Sequence, residues 1–216
     1  MSTIKTAALR GLTGSADSIQ LHTSDQSVTF PGNITVTGTA SGIPKIEVGN
    51  TKVEVTDTGS DGKVEISTEG TVRFTISKDG YITAPAQPAF WAYGGPNSST
   101  TSGEILVFGS TEINIGGGYN TSDGKFTVPA NQGGLWLFGA SVYRANTEDD
   151  GVIGLKEGTN QIAESRIKSA SAAGYSSLEI IRPRLVSTGN VLTVTNQGSD
   201  LHCNSTMSCF WGIKLF

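Results

Sequence analysis

The sequence predicts an all-β chain: a series of short strands followed by a C-terminal β-sandwich of about ten strands. Three observations carry this. From Ser27 onward apolar and polar residues alternate over short runs, the period of a strand with one covered face. Gly-containing pairs that make tight turns break those runs, among them Gly49-Asn50, Asp61-Gly62, Glu69-Gly70 and Asp79-Gly80. Later, Leu135-Trp136-Leu137-Phe138 forms a continuous apolar run bounded by glycine, as expected of a strand covered on both faces.

Composition agrees. Charged residues make up 16% of the 216-residue chain, against a usual value of about 25%, and the 28 glycines are roughly twice the usual share. Because apolar residues recur regularly, this is the composition of many short strands and tight turns, not of solvated disorder. A net charge of −4 supplies no basic field, so nucleic acid is not expected as a partner. The chain lacks a run of about 18 apolar residues, so membrane insertion is not expected either. Met1 to Arg10 lacks the continuous apolar core of a secretory signal.

Taken in order, residues 1–42 read as an N-terminal attachment segment with a few strands. Ala7-Ala8-Leu9 could begin a helical turn, which Gly11 and Gly14 stop. Val28, Phe30, Ile34 and Val36 then alternate with Thr and Asn around Pro31-Gly32. A polar first segment either orders on a partner or is a plain frayed terminus.

Residues 43–86 form the β-repeat shaft and linker. Ile46-x-Val48, Val53-x-Val55, Val64-x-Ile66, Val72-x-Phe74-x-Ile76 and Tyr81-x-Thr83 recur about every 7–11 residues. Such short strands with one apolar row form no stable sheet alone. The prediction is an intertwined trimeric shaft in which each chain contributes one row to a shared axis; the alternative is a small independent β-domain. Ala84-Pro85-Ala86-Gln87-Pro88 is a stiff, extended linker.

Residues 87–216 form the head. Pro88-Ala89-Phe90-Trp91-Ala92-Tyr93 opens it, and Glu104 to Phe108, Glu112 to Ile115 and Lys125 to Val128 supply further strands. Gly117-Gly118-Tyr119-Asn120 and Asp123-Gly124-Lys125-Phe126-Thr127-Val128-Pro129 form its centre, and Cys209-Phe210-Trp211-Gly212-Ile213-Lys214-Leu215-Phe216 closes it. In order and spacing these stretches resemble the globular head of C1q and tumour-necrosis-factor-like proteins. The resemblance implies a jelly-roll β-sandwich that packs as a homotrimer along aromatic faces. Gly189-Asn190-Val191 departs from that family, which has Asp where Asn190 stands.

Candidate chemistry is sparse. His22 and His202 are the only histidines, and no nucleophile elbow accompanies either. His202, Cys203 and Cys209 lack the fourth ligand and paired spacing of a zinc site. The two cysteines lie about 20 Å apart if one strand holds both, so they read as reduced thiols in the core, or as a pair only across a tight reversal at Asn204 to Thr206. Asp149 and Asp150, beside Glu148, form the densest acidic patch; calcium is the cation such oxygens would take, and a solvated loop is the plainer reading. Gly116-Gly117-Gly118 is not a phosphate cradle, because no Lys-Ser/Thr follows. No enzyme, metal or cofactor is therefore expected.

Phe90, Tyr93, Tyr119, Phe126, Trp136, Phe138, Phe210 and Trp211 read as core or trimer-interface packing. The polar loops Gly95–Gly103, Arg144–Asp150 and Ser169–Ser177 are the candidate receptor-binding elements, since recognition concentrates on loops held by a rigid scaffold. Tyr143, Arg144, Tyr175 and Asn97 are their candidate contact residues. With the strand series in place of a collagen repeat, and Thr35-Val36-Thr37-Gly38-Thr39 similar in style to bacteriophage structural proteins, the expected protein is a trimeric virion fibre or spike. It would contact other virion proteins through residues 1–42 and a host surface glycan or protein through its head. A capsid decoration or head-fibre protein is the alternative.

Overall fold

A computed structural model describes residues 45–94, 99–144, 150–168, 176–198, 201–202 and 207–216. The chain divides into two compact units, Met1–Ile43 and Pro44–Phe216. The first lies outside the described residues, and with it the expected attachment segment.

In the second unit, β1 (Lys45–Val48), β2 (Thr51–Thr56), β3 (Lys63–Thr68), β4 (Thr71–Ile76) and β5 (Ile82–Thr83) pair in sequence order as an antiparallel meander. Two of the turns fall, as two-residue connections, at pairs singled out from sequence, Gly49-Asn50 and Glu69-Gly70. Glu69 and Gly70 take φ values of 51° and 70°, left-handed at both central positions of a two-residue hairpin, the geometry that matches strand twist. Within the one chain described, each strand of the meander pairs with its sequence neighbour. Two-residue connections at Gly49-Asn50 and Glu69-Gly70 return the chain at once.

Directly paired residues share a face. One face of the meander therefore carries the rows Ile46–Val53–Ile66–Phe74 and Val55–Val64–Ile76–Ile82. The other carries Lys45, Glu47, Lys52, Glu54, Lys63 and Glu65, ion-paired along each strand as Lys45–Glu47, Lys52–Glu54 and Lys63–Glu65.

The head comprises β6 (Ala89–Tyr93), β7 (Ser99–Thr100), β8 (Ser110–Ile115), β9 (Tyr119–Asn120), β10 (Lys125–Thr127), β11 (Gly134–Arg144), β12 (Gly151–Glu157), β13 (Asn160–Ile167), β14 (Ser176–Val186), β15 (Val191–Asn196), β16 (Leu201–His202) and β17 (Cys209–Lys214). Two five-stranded antiparallel sheets, β14-β11-β17-β6-β8 and β13-β12-β15-β10-β9, make a sandwich, and β16 pairs with β7. This is the jelly-roll architecture the sequence predicted. Residues Glu104 to Phe108 do not form the expected strand. Ile105 bridges Thr195, and the Leu106 N–H donates to the Val194 carbonyl at 2.8 Å, leaving Leu106 and Phe108 buried on an irregular segment.

Aromatic rings fill the core. Phe90 stacks on Phe126 with centroids 4.3 Å apart, and Phe126 lies 5.0 Å from Trp136 and 5.8 Å from Phe138. Gly212 makes room for the rings that flank it on the neighbouring strands β6 and β11: a Cβ at that position would fall 2.6 Å from Phe90 and 2.8 Å from Phe138. Between the sheets, the Glu157 carboxylate accepts from Arg184 Nε at 2.8 Å and from Asn190 Nδ2. Asn190 thus serves as a donor to an acid on β12.

The buried Tyr119 hydroxyl accepts from the Phe108 N–H at 3.1 Å and donates to the Phe108 carbonyl at 3.2 Å. Burial pushes its pKa from 10.0 up to about 12. The folded state holds this proton more tightly than the unfolded chain does, so the stabilisation is complete below pH 10 and is lost as pH rises through 12. Stability measured by urea unfolding is expected to fall by about 2–3 kcal/mol across that window. A Tyr119→Phe chain should lack that component of the fall; an unchanged alkaline profile would contradict the assignment.

Candidate recognition surface

Antiparallel register puts several strand termini at one end of the sandwich. Tyr93 lies beside Cys209 and Arg144 beside Ser176, while Gly151 lies beside Ile167 on the other sheet. Packing of Arg144 against Gly151 joins the two groups, since a Cβ on Gly151 would lie 3.1 Å from Arg144 Nη1. The three loops singled out from sequence all leave from this end. The linker enters at the other, where the Lys214 N–H donates to the Pro88 carbonyl at 3.0 Å and Gln87 Nε2 donates to the Lys214 carbonyl.

Tyr143 and Arg144 separate. Along β11 the inward positions are Trp136, Phe138, Ala140, Val142 and Arg144, so Arg144 is 1% exposed and closes the core at the loop end. It is not the surface contact expected of it; strand alternation sends neighbouring residues to opposite faces. Tyr143 faces outward and is half-buried, its N–H donating to Ser208 Oγ at 2.9 Å. Asp150 is exposed just before β12. Asn97, Asp149 and Tyr175 lie outside the described residues, as does Cys203. Cys209 is a buried free thiol whose ionisation burial pushes up. Among the described residues no three His, Cys, Asp or Glu side chains cluster closely enough to hold a metal ion.

A second surface is apolar. On the outer side of the β14-β11-β17-β6-β8 sheet, the row Ile181–Gly139–Trp211–Trp91–Ile113 crosses all five strands. Beside it runs Pro183–Leu137–Ile213–Ala89–Ile115. Five strands at this spacing make a face about 20 Å across. Ile181 is 69% exposed, Leu185 73% and Trp91 39%. Trp91 and Trp211 stack with centroids 6.4 Å apart. Gly139 lets the Trp211 ring lie flat on the sheet, as a Cβ there would meet the ring at 2.2 Å. A hollow of about 200 Å³ beside the pair is lined by Ser141, Glu179, Ile181 and Cys209.

Sequence reasoning grouped these aromatics as core or interface together. Alternation sorts them: in Ala89-Phe90-Trp91-Ala92-Tyr93 and Cys209-Phe210-Trp211-Gly212 each Phe points in and each Trp points out. Ile181 and Leu185 were missed. The adjacent pair Ile180-Ile181 was the available signal, since two consecutive apolar residues in a strand place one on each face.

The C-terminal part has the fold of a C1q globular domain. It is similar to the globular domain of zebrafish complement 1qA protein, with a TM-score of 0.50 and 12% identity, covering 60% of this chain and 98% of that one. The Eiger TNF of S. frugiperda matches with a TM-score of 0.48 at 12% identity over 60% of this chain and 93% of its own. Murine APRIL at pH 8.0 matches with a TM-score of 0.43 at 12% identity over 59% and 99%. At such identities the likeness is one of fold, and the assignment rests on the first. No family model and no curated protein matches the sequence.

Proposed function

We propose that this protein is a trimeric virion fibre or spike of the bacteriophage tail-fibre kind, whose C-terminal head binds a glycan or protein on the host cell surface. The supporting observation is the polarity of the head: the linker enters one end and the polar loops leave from the other. That arrangement suits projection of a recognition surface away from an anchor. The apolar outer face supports the trimer, because a patch crossing five strands is larger than isolated surface residues explain and marks an interaction site. Three copies turning this face toward a common axis would cover it, as the resemblance to C1q and TNF-like heads implies. Three weak sites on one rigid head then raise avidity without a strong single contact.

In this reading residues 1–42 attach the protein to the particle, which assembles in the host cytoplasm, and the head recognises without catalysing or requiring a metal. Fluorescently labelled full chain is expected to bind within a panel of bacterial cells and their purified surface polysaccharides. Replacing residues 145–149 by Gly and Ser should weaken binding by about tenfold or more at unchanged oligomeric mass. Full binding by the loop variant would move recognition elsewhere on the head. Absence of binding to every cell tested would favour decoration or display.

A further inference from the structure

The meander presents a second apolar face that nothing among the described residues covers. Its two rows, Ile46–Val53–Ile66–Phe74 and Val55–Val64–Ile76–Ile82, contain no charge or polar group, whereas the charged residues Lys45, Glu47, Lys52, Glu54, Lys63 and Glu65 all stand on the opposite face. Val48, on the apolar side with Ile46, is 82% exposed. A contiguous exposed apolar face of this kind marks an interaction site.

We propose that this face packs against the same face of further copies of the chain, making the meander a second assembly interface. This rests on the homotrimer reading for the number of copies, though not for the contact itself. Three features favour a copy as the occupant. First, the face is self-complementary: an uncharged apolar surface meets its own copy without burying an unpaired charge. Second, edge-to-edge growth is blocked, since β1 carries Lys45 and Glu47 on its edge and β5 is only two residues long. Assembly must then use the face.

Third, a short linker tethers the meander to the apolar face of the head. The chain leaves β5 at Thr83 and reaches Ala89, itself a member of the row Pro183–Leu137–Ile213–Ala89–Ile115, through a linker held on β17 by the Pro88 and Gln87 hydrogen bonds. Copies brought together through the head therefore hold their meanders at high effective concentration. An open groove of about 450 Å³ lies at the end of this row, where Val55, Val64 and Ile76 meet Asp57, Lys63 and Lys78.

The test uses the full chain at a urea concentration where it is half dissociated, with mass followed by light scattering over a dilution series. Val53→Glu/Ile66→Glu is expected to raise the midpoint concentration of dissociation about tenfold or more, while Thr56→Glu on the opposite face leaves it unchanged. In a separate Val48→Cys chain, alkylation of the new thiol by iodoacetamide, read by peptide mass, should be about tenfold slower above the midpoint than below it. An unchanged midpoint for Val53→Glu/Ile66→Glu would overturn the proposal. So would equal alkylation above and below the midpoint, including the case in which residues 1–44 of the same chain cover the face. If only the head interface is wrong, Ile181→Glu will leave the midpoint unchanged while Val53→Glu/Ile66→Glu still raises it.

Discussion

The full chain carrying Trp91→Glu and Ile181→Glu is expected to dissociate at a concentration about a hundredfold above that of the unmodified chain. Both positions lie on the row that crosses all five strands of the outer sheet face, and both side chains already contact solvent in the single chain. Introducing carboxylates there should leave the sandwich folded, because the buried rings Phe90, Phe138 and Phe210 stand on the other side of the same sheet. In an assembly the same carboxylates would be buried without partners, at a cost of several kcal/mol. Unchanged dissociation, with an unchanged circular dichroism spectrum, would remove this face from the interface.

Phe126→Ala should have the largest effect on folding of the head, a loss of about 3–5 kcal/mol by urea unfolding. The ring contacts Phe90, Trp136 and Phe138 at once, so its removal leaves a cavity lined by three other rings. That cavity collapses poorly. The backbone is already in van der Waals contact with the ring at Gly118, where a Cβ would lie 2.5 Å from Phe126 Cε2, and those strands are fixed by ladder hydrogen bonds. A loss below about 1 kcal/mol would mean that the site relaxes and that Phe126 is not the keystone of the core.

Much of the fold is legible in the sequence because local chemistry dictates it. Glu69-Gly70 and Gly49-Asn50 set two-residue hairpins, and with them the order and register of the meander. Asp123-Gly124-Lys125-Phe126-Thr127 marks the centre of the head through a tight turn in which Gly124 takes φ 71° against the Leu106 carbonyl. Long-range effects were less visible. The burial of Arg144 follows from which face of β11 meets the second sheet, and Arg as a residue type suggests the opposite. Glu104 to Phe108 has the composition of a strand, yet a single bridge to β15 takes its place. Winding of the shaft from several chains was inferred from the small core of each chain. The hairpins pair the strands within each chain and leave the apolar face of that sheet open.

The candidate site divides in the same way. The three candidate recognition loops were legible as polar, unpatterned breaks, and strand register brings their ends together. Ile181 and Leu185 were not, because a strand with Arg182, Pro183 and Arg184 between them reads as a solvated edge. Only the pairing of β14 with β11 puts them beside Gly139 and Leu135.

Multi-angle light scattering on the unmodified full chain tests the trimeric account most directly. The account predicts a single species of three times the 22.5 kDa chain mass. A mass of 22.5 kDa at every accessible concentration would contradict it, leaving both apolar faces to be covered by something other than copies of this chain.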